Sequence, residues 1–226
     1  MRYNIFGDSL PAVTIQLNRG ESIYTQSGGM TWMTDNITMD TNMRGGYLKG
    51  LGRMFSGESL FMVTYTANSD GAEITFASTF PGAIIAADIG RSNLIVQKSA
   101  FLCAQPSVEL SVHFNKSFKS GLFGGEGFIL QKLSGNGLAF FEIDGACYEK
   151  VLGPGEVLKV DTGNIAAFEE SVRYEVETVK GFKNVMFGGE GLFLSKLTGP
   201  GKIWLQTMPL SAFAQKLSPL MPHNTD

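Results

Sequence analysis

Short alternations of apolar and polar residues dominate the chain. Val172, Tyr174 and Val176 alternate with Arg173, Glu175 and Glu177, a two-residue period that turns one set inward and the other to water. Val108, Leu110 and Val112 repeat the pattern around Glu109 and Ser111, and Val13, Ile15 and Leu17 alternate ahead of Gly20-Glu21. The run Ala83 to Ala87 is apolar throughout and reads as a buried strand, too short to span a membrane. Gly153-Pro154-Gly155 and Gly199-Pro200-Gly201 read as tight turns between strands. The helical period occurs at Ser211–Leu217, amphipathic through Phe213 and Leu217 and stopped by Pro219. Many short strands with frequent turn signals predict an all-β sandwich or barrel with a short C-terminal helix.

The pattern also recurs at long range. Phe123-Gly124-Gly125-Glu126-Gly127 returns farther along as Phe187-Gly188-Gly189-Glu190-Gly191. Lys119–Gly137 and Lys183–Gly201 share 11 of 19 positions, where average usage gives roughly one. Phe55-Ser56-Gly57-Glu58 is a weaker third copy. Leu94, Val96 and Phe101 match Leu158, Val160 and Ile165, and Ile23 to Gln26 match Leu94 to Gln97. Three tandem segments follow, 20–89, 90–154 and 155–209, with 210–226 left as helix and tail. No polar linker divides them, so 1–226 reads as a single body. The third segment lacks a following strand, because Trp204-Leu205-Gln206 runs into the helix. The strand within residues 1–19 is therefore expected to pack on the third segment. Head-to-tail closure then makes a ring with pseudo-threefold symmetry and removes exposed sheet edges.

Several stretches carry a resemblance. They are Gly45-Gly46, Lys49-Gly50-Leu51, Gly57-Glu58-Ser59-Leu60-Phe61, Val160-Asp161-Thr162-Gly163, the duplicated Gly-Gly-Glu-Gly, and Gly199-Pro200-Gly201-Lys202-Ile203-Trp204-Leu205-Gln206-Thr207. Together, from about Asn18 to Thr207, they resemble the family named for altered inheritance of mitochondria protein twenty-four. The resemblance implies three repeats, each similar to one subunit of the tryptophan RNA-binding attenuation protein, in a double-stranded β-helix style of fold. It implies a link to mitochondrial organisation for eukaryotic members and no set role for bacterial ones. It supplies no catalytic or ligand residues, and RNA binding does not pass with a fold.

Composition narrows the function classes. With 18 basic and 21 acidic residues the net charge is -3, which disfavours generic polyanion binding. A hydrophobic content of 43% excludes a disordered chain. The first residues lack a signal-peptide core and a transit-peptide pattern, and the expected location is cytoplasmic. Cys103 and Cys147 sit in apolar settings and read as inert thiols, and two Cys with two scattered His do not make a zinc site. The sequons at Asn36 and Asn115 carry no meaning inside a cell.

Four features suggest chemistry. Asp161-Thr162-Gly163 invites an aspartic-protease reading, but the second loop is missing and the repeat places Gln97 and Gln26 at the equivalent positions. A turn Asp bonding nearby backbone N–H groups is the preferred reading. Glu58, Glu126 and Glu190 recur once per segment and would either cluster around a cation or serve as repeated scaffold residues. Scaffold is preferred, because active sites in duplicated proteins usually survive in one copy. Arg44, Lys49, Arg53, Lys116, Lys119, Lys180 and Lys183 fall in corresponding regions, among Tyr47, Phe118 and Phe182. A closed ring would gather them on one rim that binds an anionic partner, against the plain alternative of solvated loops. Gly45 to Gly52 is not a Walker A loop, since Leu51 and Gly52 stand where Lys and Ser/Thr are required. No Gly-x-Ser-x-Gly elbow is present, His113 falls on the polar phase of its strand beside no obvious Ser or Cys nucleophile, and His223 sits in a Pro-containing tail expected to fray.

The expectation is a non-enzymatic scaffold or interaction protein without cofactor or metal. Its partner would be an unidentified protein or a second copy of the chain, met through the basic rim. Binding of RNA or single-stranded DNA is the alternative, unsupported by net charge. An enzyme with a pocket between repeats is the third reading, one that a cleft with two close carboxylates would favour.

Overall fold

A computed structural model describes residues 1–26, 28–41, 62–116, 128–178 and 193–220. The two-residue period is realised as nineteen strands among these residues. The first stretch holds β1 (Arg2–Phe6), β2 (Ala12–Leu17), β3 (Ser22–Gln26), β4 (Trp32–Met33) and β5 (Ile37–Asp40). Then come β6 (Met62–Ala67), β7 (Ala72–Ala77), β8 (Gly82–Asp88), β9 (Leu94–Gln97), β10 (Phe101–Ala104) and β11 (Val108–Lys116). The next are β12 (Phe128–Gly135), β13 (Leu138–Asp144), β14 (Cys147–Leu152), β15 (Val157–Asp161), β16 (Ile165–Glu169) and β17 (Arg173–Thr178). Last are β18 (Phe193–Thr198), β19 (Gly201–Gln206) and the helix α1 (Leu210–Leu217). The chain is thus mostly β, with several antiparallel sheets and one short helix, as the periodicity predicts.

Four sheets form. The first has the order β1-β2-β7-β4, and the fourth β15-β18-β17. The second is β5-β6-β3-β10-β13-β8 and the third β11-β12-β9-β16-β19-β14. Among the described residues four ladders cross between the chain segments 20–89, 90–154 and 155–209: β3 with β10, β8 with β13, β9 with β16 and β14 with β19. Ala104 in β10 pairs with Tyr24 in β3, and Ala167 to Glu169 in β16 pair with Val96 to Leu94 in β9. The strand expected to pack on the third segment, β2, makes its ladders with β1 and β7.

Three apolar clusters lie between successive sheets. Val13, Ile15, Ile74 and Phe76 of the first sheet meet Ile23, Val63, Tyr65 and Phe140 of the second. Phe101, Phe141 and Ile143 of the second meet Leu94, Val96, Leu110 and Leu133 of the third. Ile95, Leu130, Phe168 and Ile203 of the third meet Val160 and Leu197 of the fourth. The two central sheets are therefore covered on both faces, which explains their unbroken apolar runs. In β13, Phe140 enters the first cluster while Ala139 and Phe141 enter the second. In β9, Ile95 points away from Leu94 and Val96 in the same way. A register shift between Ile165 and Ala167 puts Ala166 and Ala167 in one cluster while Ile165 and Phe168 share another.

One core position breaks the apolar rule. Gln131 on β12 is fully buried, and among the described residues neither its amide nitrogen nor its oxygen has a hydrogen-bond partner. An unpaired buried amide costs on the order of 1–3 kcal/mol. At the matching position of the next segment, Ser195 meets Thr162 Oγ1 at 2.9 Å and Tyr174 Oη at 3.2 Å and carries no such cost.

Candidate functional site

Most residues singled out by the repeat lie outside the described structure. Arg44, Lys49, Arg53, Lys119, Lys180 and Lys183 do so, as do Glu58, Glu126 and Glu190, the loop Gly45–Gly52 and His223. Lys116 is the last residue of β11, opposite Phe128 in the ladder. The sites that can be built are therefore others: a short turn, a joint between segments with a cavity beside it, and the outer strands of the sheets.

Asp161 ends β15 and caps the 3-10 turn Thr162–Asn164, its Oδ1 accepting from the Gly163 N–H at 3.1 Å. That is the turn role expected for it. Its counterpart Gln97 precedes the turn Lys98–Ala100 without a side-chain cap. Instead Gln97 Oε1 accepts from Gln206 Nε2 at 3.2 Å. Gln206 Nε2 also donates to the Gly163 carbonyl at 2.9 Å, and its Oε1 accepts from the Asp144 N–H at 3.2 Å. The joint between β9 and β16 is thereby sealed by one amide.

The joint between β3 and β10 carries different chemistry at the corresponding places. Gln26 stands where the later joint has Gln97, and Glu142, the counterpart of Gln206 one segment earlier, stands where it has the sealing amide. Glu142 has no N–H to offer the Gln26 oxygen, its carboxylate accepts from other donors, and Gln26 Nε2 is buried with no hydrogen-bond partner among the described residues. Glu142 Oε2 instead accepts from Ser78 Oγ at 2.7 Å and from the Thr79 N–H at 3.1 Å. A cavity of about 540 Å³ opens here, lined by Thr25, Gln26, Ser78, Lys98, Phe101 and Glu142 among others. Burial pushes the Glu142 carboxyl above its ordinary range, against the opposing effect of the Ser78 and Thr79 hydrogen bonds.

Asp144 follows two residues later on the same face of β13, and its carboxyl is pushed up to about 6, first by burial and then by the Glu142 charge. Asp144 does not line the cavity; among the described acidic residues Glu142 alone does. The cavity thus presents a carboxyl group, hydroxyls and a Lys, with the Ser78 hydroxyl held against the Glu142 carboxylate. Sequence reasoning missed Glu142 and Asp144 because they sit inside an apolar strand with no motif around them. Their shared phase in Phe141-Glu142-Ile143-Asp144 is the signal that marks them. Cys103 is buried and Cys147 half-buried, both as free thiols with raised pKa from burial. His113 is pushed down by burial and by Lys132, which is paired with Glu170 at 2.5 Å.

The outer strands hold the remaining feature. Tyr3, Ile5 and Phe6 on β1, Trp32 on β4, Met39 on β5, Tyr148 and Val151 on β14, and Val157 on β15 are exposed large apolar side chains. Each of these strands is terminal in its sheet order. Of the other large exposed apolar groups described, Leu10 lies in a loop and Leu210, Phe213, Leu217 and Leu220 belong to the C-terminal helical stretch. Phe213 packs edge-on against Phe80, with ring centroids 6.1 Å apart. Free edges are commonly blunted by charge to prevent unwanted pairing. On these five strands the exposed side chains include large hydrophobic groups.

Among the described residues no helix is long and apolar enough to cross a membrane. Comparison with known proteins places the chain. The family model described as mitochondrial biogenesis AIM24 matches residues 3–208. An uncharacterised protein of Streptococcus pyogenes serotype M6 is 29% identical over 224 residues, covering 96% of this chain and 89% of its own. A crystal structure of a Streptococcus pyogenes protein superposes with a TM-score of 0.79 at 28% identity, covering 97% of this chain and 99% of that one.

Proposed function

This chain belongs to the mitochondrial biogenesis AIM24 family, and from that premise we propose that it is a non-enzymatic scaffold that binds protein partners, copies of itself included, in the cytoplasm. The observation that carries this reading is the placement of Trp32, Met39, Tyr148, Val151 and Val157 on terminal strands, exposed to solvent. Large apolar groups on sheet edges that no described strand covers are the usual material of protein contacts. The basic residues Arg44, Lys49, Arg53, Lys116, Lys119, Lys180 and Lys183 would add an anionic-partner surface to the same body.

The three segments are, in this reading, copies of one β module set about a pseudo-threefold axis in the double-stranded β-helix style. What supports that arrangement is the match between the second and third sheets. Each position in the order β5-β6-β3-β10-β13-β8 corresponds to one in β11-β12-β9-β16-β19-β14, at the same spacings by which the sequence repeats.

The test substitutes Trp32→Ser, Tyr148→Ser and Val151→Ser together. Exposed replacements of this kind change stability by about 0.5 kcal/mol or less each, so the melting temperature serves as the folding control. Partners cross-linked to the wild-type chain in cells are expected to fall at least roughly tenfold, the equivalent of ~1.4 kcal/mol. An unchanged partner set with the fold intact contradicts the reading.

A further inference from the structure

We infer that β1 is a self-docking edge, on which two copies of this chain pair antiparallel about a twofold axis through Asn4 to make one continuous sheet. The inference rests on the proposal that terminal strands are contact surfaces, and adds which strand and which partner.

The sequence of β1 is Arg2-Tyr3-Asn4-Ile5-Phe6, and all five residues are exposed. Its inner edge is fully used: Arg2, Tyr3, Asn4, Ile5 and Phe6 stand opposite Gln16, Ile15, Thr14, Val13 and Ala12 of β2. No strand pairs its outer edge among the described residues. Several other terminal strands carry charges within the strand, such as Glu149 and Lys150 on β14, Lys159 on β15, and Glu175 on β17, while β4 and the interiors of β5 and β8 are uncharged as β1 is. The interior of β1, Tyr3-Asn4-Ile5, has no charge, no proline and no glycine, so the common means of blunting an edge are missing.

Its side chains also suit a copy of themselves. A twofold axis normal to an antiparallel sheet brings a residue opposite its own image and pairs its neighbours reciprocally. Centred on Asn4, this register uses all five residues. Asn4 faces Asn4 of the partner subunit, Tyr3 faces Ile5 of the partner subunit, and Arg2 faces Phe6 of the partner subunit. These are an amide pair, an aromatic against a β-branched side chain, and a cation against a ring, each a favourable cross-strand combination. The two Arg2 side chains lie four positions apart along the strands, about 14 Å at ~3.4 Å per residue. That exceeds the ~8 Å screening length of physiological salt, so their repulsion is largely screened.

The same operation centred on the two middle residues of β14 meets like charges, whereas centred on Tyr148 or Val151 it does not. With the axis on Glu149 two carboxylates meet, and with the axis on Lys150 two ammonium groups meet. Joining two copies of β1 extends the first sheet to eight strands, in the order β4-β7-β2-β1 and its reverse. Tyr3 is already braced from beneath, its ring edge-on to Phe140 at 5.1 Å. A five-residue edge buries less than the ~1,200 Å² of a standard stable interface, so the pairing is weak and depends on concentration.

The test combines mass measurement with cross-linking on the whole chain. The wild-type sedimentation mass is expected to rise from one chain toward two between roughly 10 µM and 1 mM, the range of a weak pair. Asn4→Lys sets two ammonium groups on the axis and is expected to hold the chain monomeric at every concentration, with an unchanged melting temperature. In a Cys147→Ser background, oxidised Asn4→Cys is expected to form a disulfide dimer, since directly opposed Cα atoms lie about 4.5–5.5 Å apart. Val151→Cys on β14, also exposed, is the control and is expected to cross-link at least roughly tenfold less. A wild-type chain that stays monomeric at about 1 mM overturns the inference. So does a dimer that survives Asn4→Lys, or equal cross-linking at the two positions. A dimer lost on substituting Tyr148 and Val151, but not Asn4, would sink this inference and leave the wider edge-docking proposal standing. Unchanged partner capture by the triple Ser variant sinks the wider proposal whatever β1 does.

Discussion

Replacing Phe140 by Ala is expected to cost about 3–5 kcal/mol of stability, the range for removing a buried aromatic side chain. Phe140 is fully buried in the first apolar cluster, at the centre of a strand whose neighbours Ala139 and Phe141 fill the second cluster. Its flanking strands on both sides hold the backbone in ladders, with Cys103 opposite it on β10 and Ala86 on β8. The lining therefore cannot collapse far into the space left behind. For a chain of this length about 1 kcal/mol shifts the melting temperature by about 2–4 °C, so a fall of roughly 6–20 °C is expected. Thermal and urea unfolding followed by near-ultraviolet circular dichroism measures it. A change within about 2 °C would mean that Phe140 does not lie in a packed interior.

Asp144→Asn is expected to show its effect through pH. The Asp144 carboxyl titrates at about 6 in the folded chain, against an ordinary value of 3.8. Below pH 3.8 the folded and unfolded chains both hold the proton. Between 3.8 and 6 the folded chain keeps a proton that the unfolded chain has released, so native stability declines as pH rises. Once pH passes 6 the folded chain releases it as well, and the loss is complete. The gap between those two values amounts to about 3 kcal/mol. The Asn variant cannot titrate there. Its stability relative to wild type is therefore expected to improve by about 3 kcal/mol between about pH 3.5 and about pH 7.5. Denaturant titrations of both proteins at those two pH values decide it, and a constant difference would show that Asp144 ionises as freely as in an unfolded chain.

Period-two alternation was enough to find the strands at Val13 to Leu17, Val108 to Val112 and Val172 to Val176, because each has one face toward a core. The helix at Leu210–Leu217 was equally plain, since its apolar spacing and the proline behind it are local signals. Asp161 was legible for the same reason, as a cap reaches only two residues along the chain. Runs such as Phe101-Leu102-Cys103-Ala104 showed burial without direction, and only the folded chain reveals a sheet packed on both faces. Which strands meet across segments was not readable, because a ladder such as Ala104 with Tyr24 is a long-range choice of register. The cavity beside Glu142 was hidden likewise. It accompanies a Gln-to-Glu difference between two matched joints, one of several there, and that difference acquires meaning only when Gln206 is seen sealing the other one. The repeated Gly-Glu turns and basic residues, the most visible features of the sequence, fall outside the described residues.

The idea on which the rest depends is that neighbouring segments own the second and third sheets in common, so that none has a complete interior alone. Calorimetric unfolding of the monomeric Asn4→Lys chain measures this most directly. A single transition whose calorimetric and van't Hoff enthalpies agree is expected. Two or more resolved transitions, each accounting for about one segment's share of the enthalpy, would contradict it.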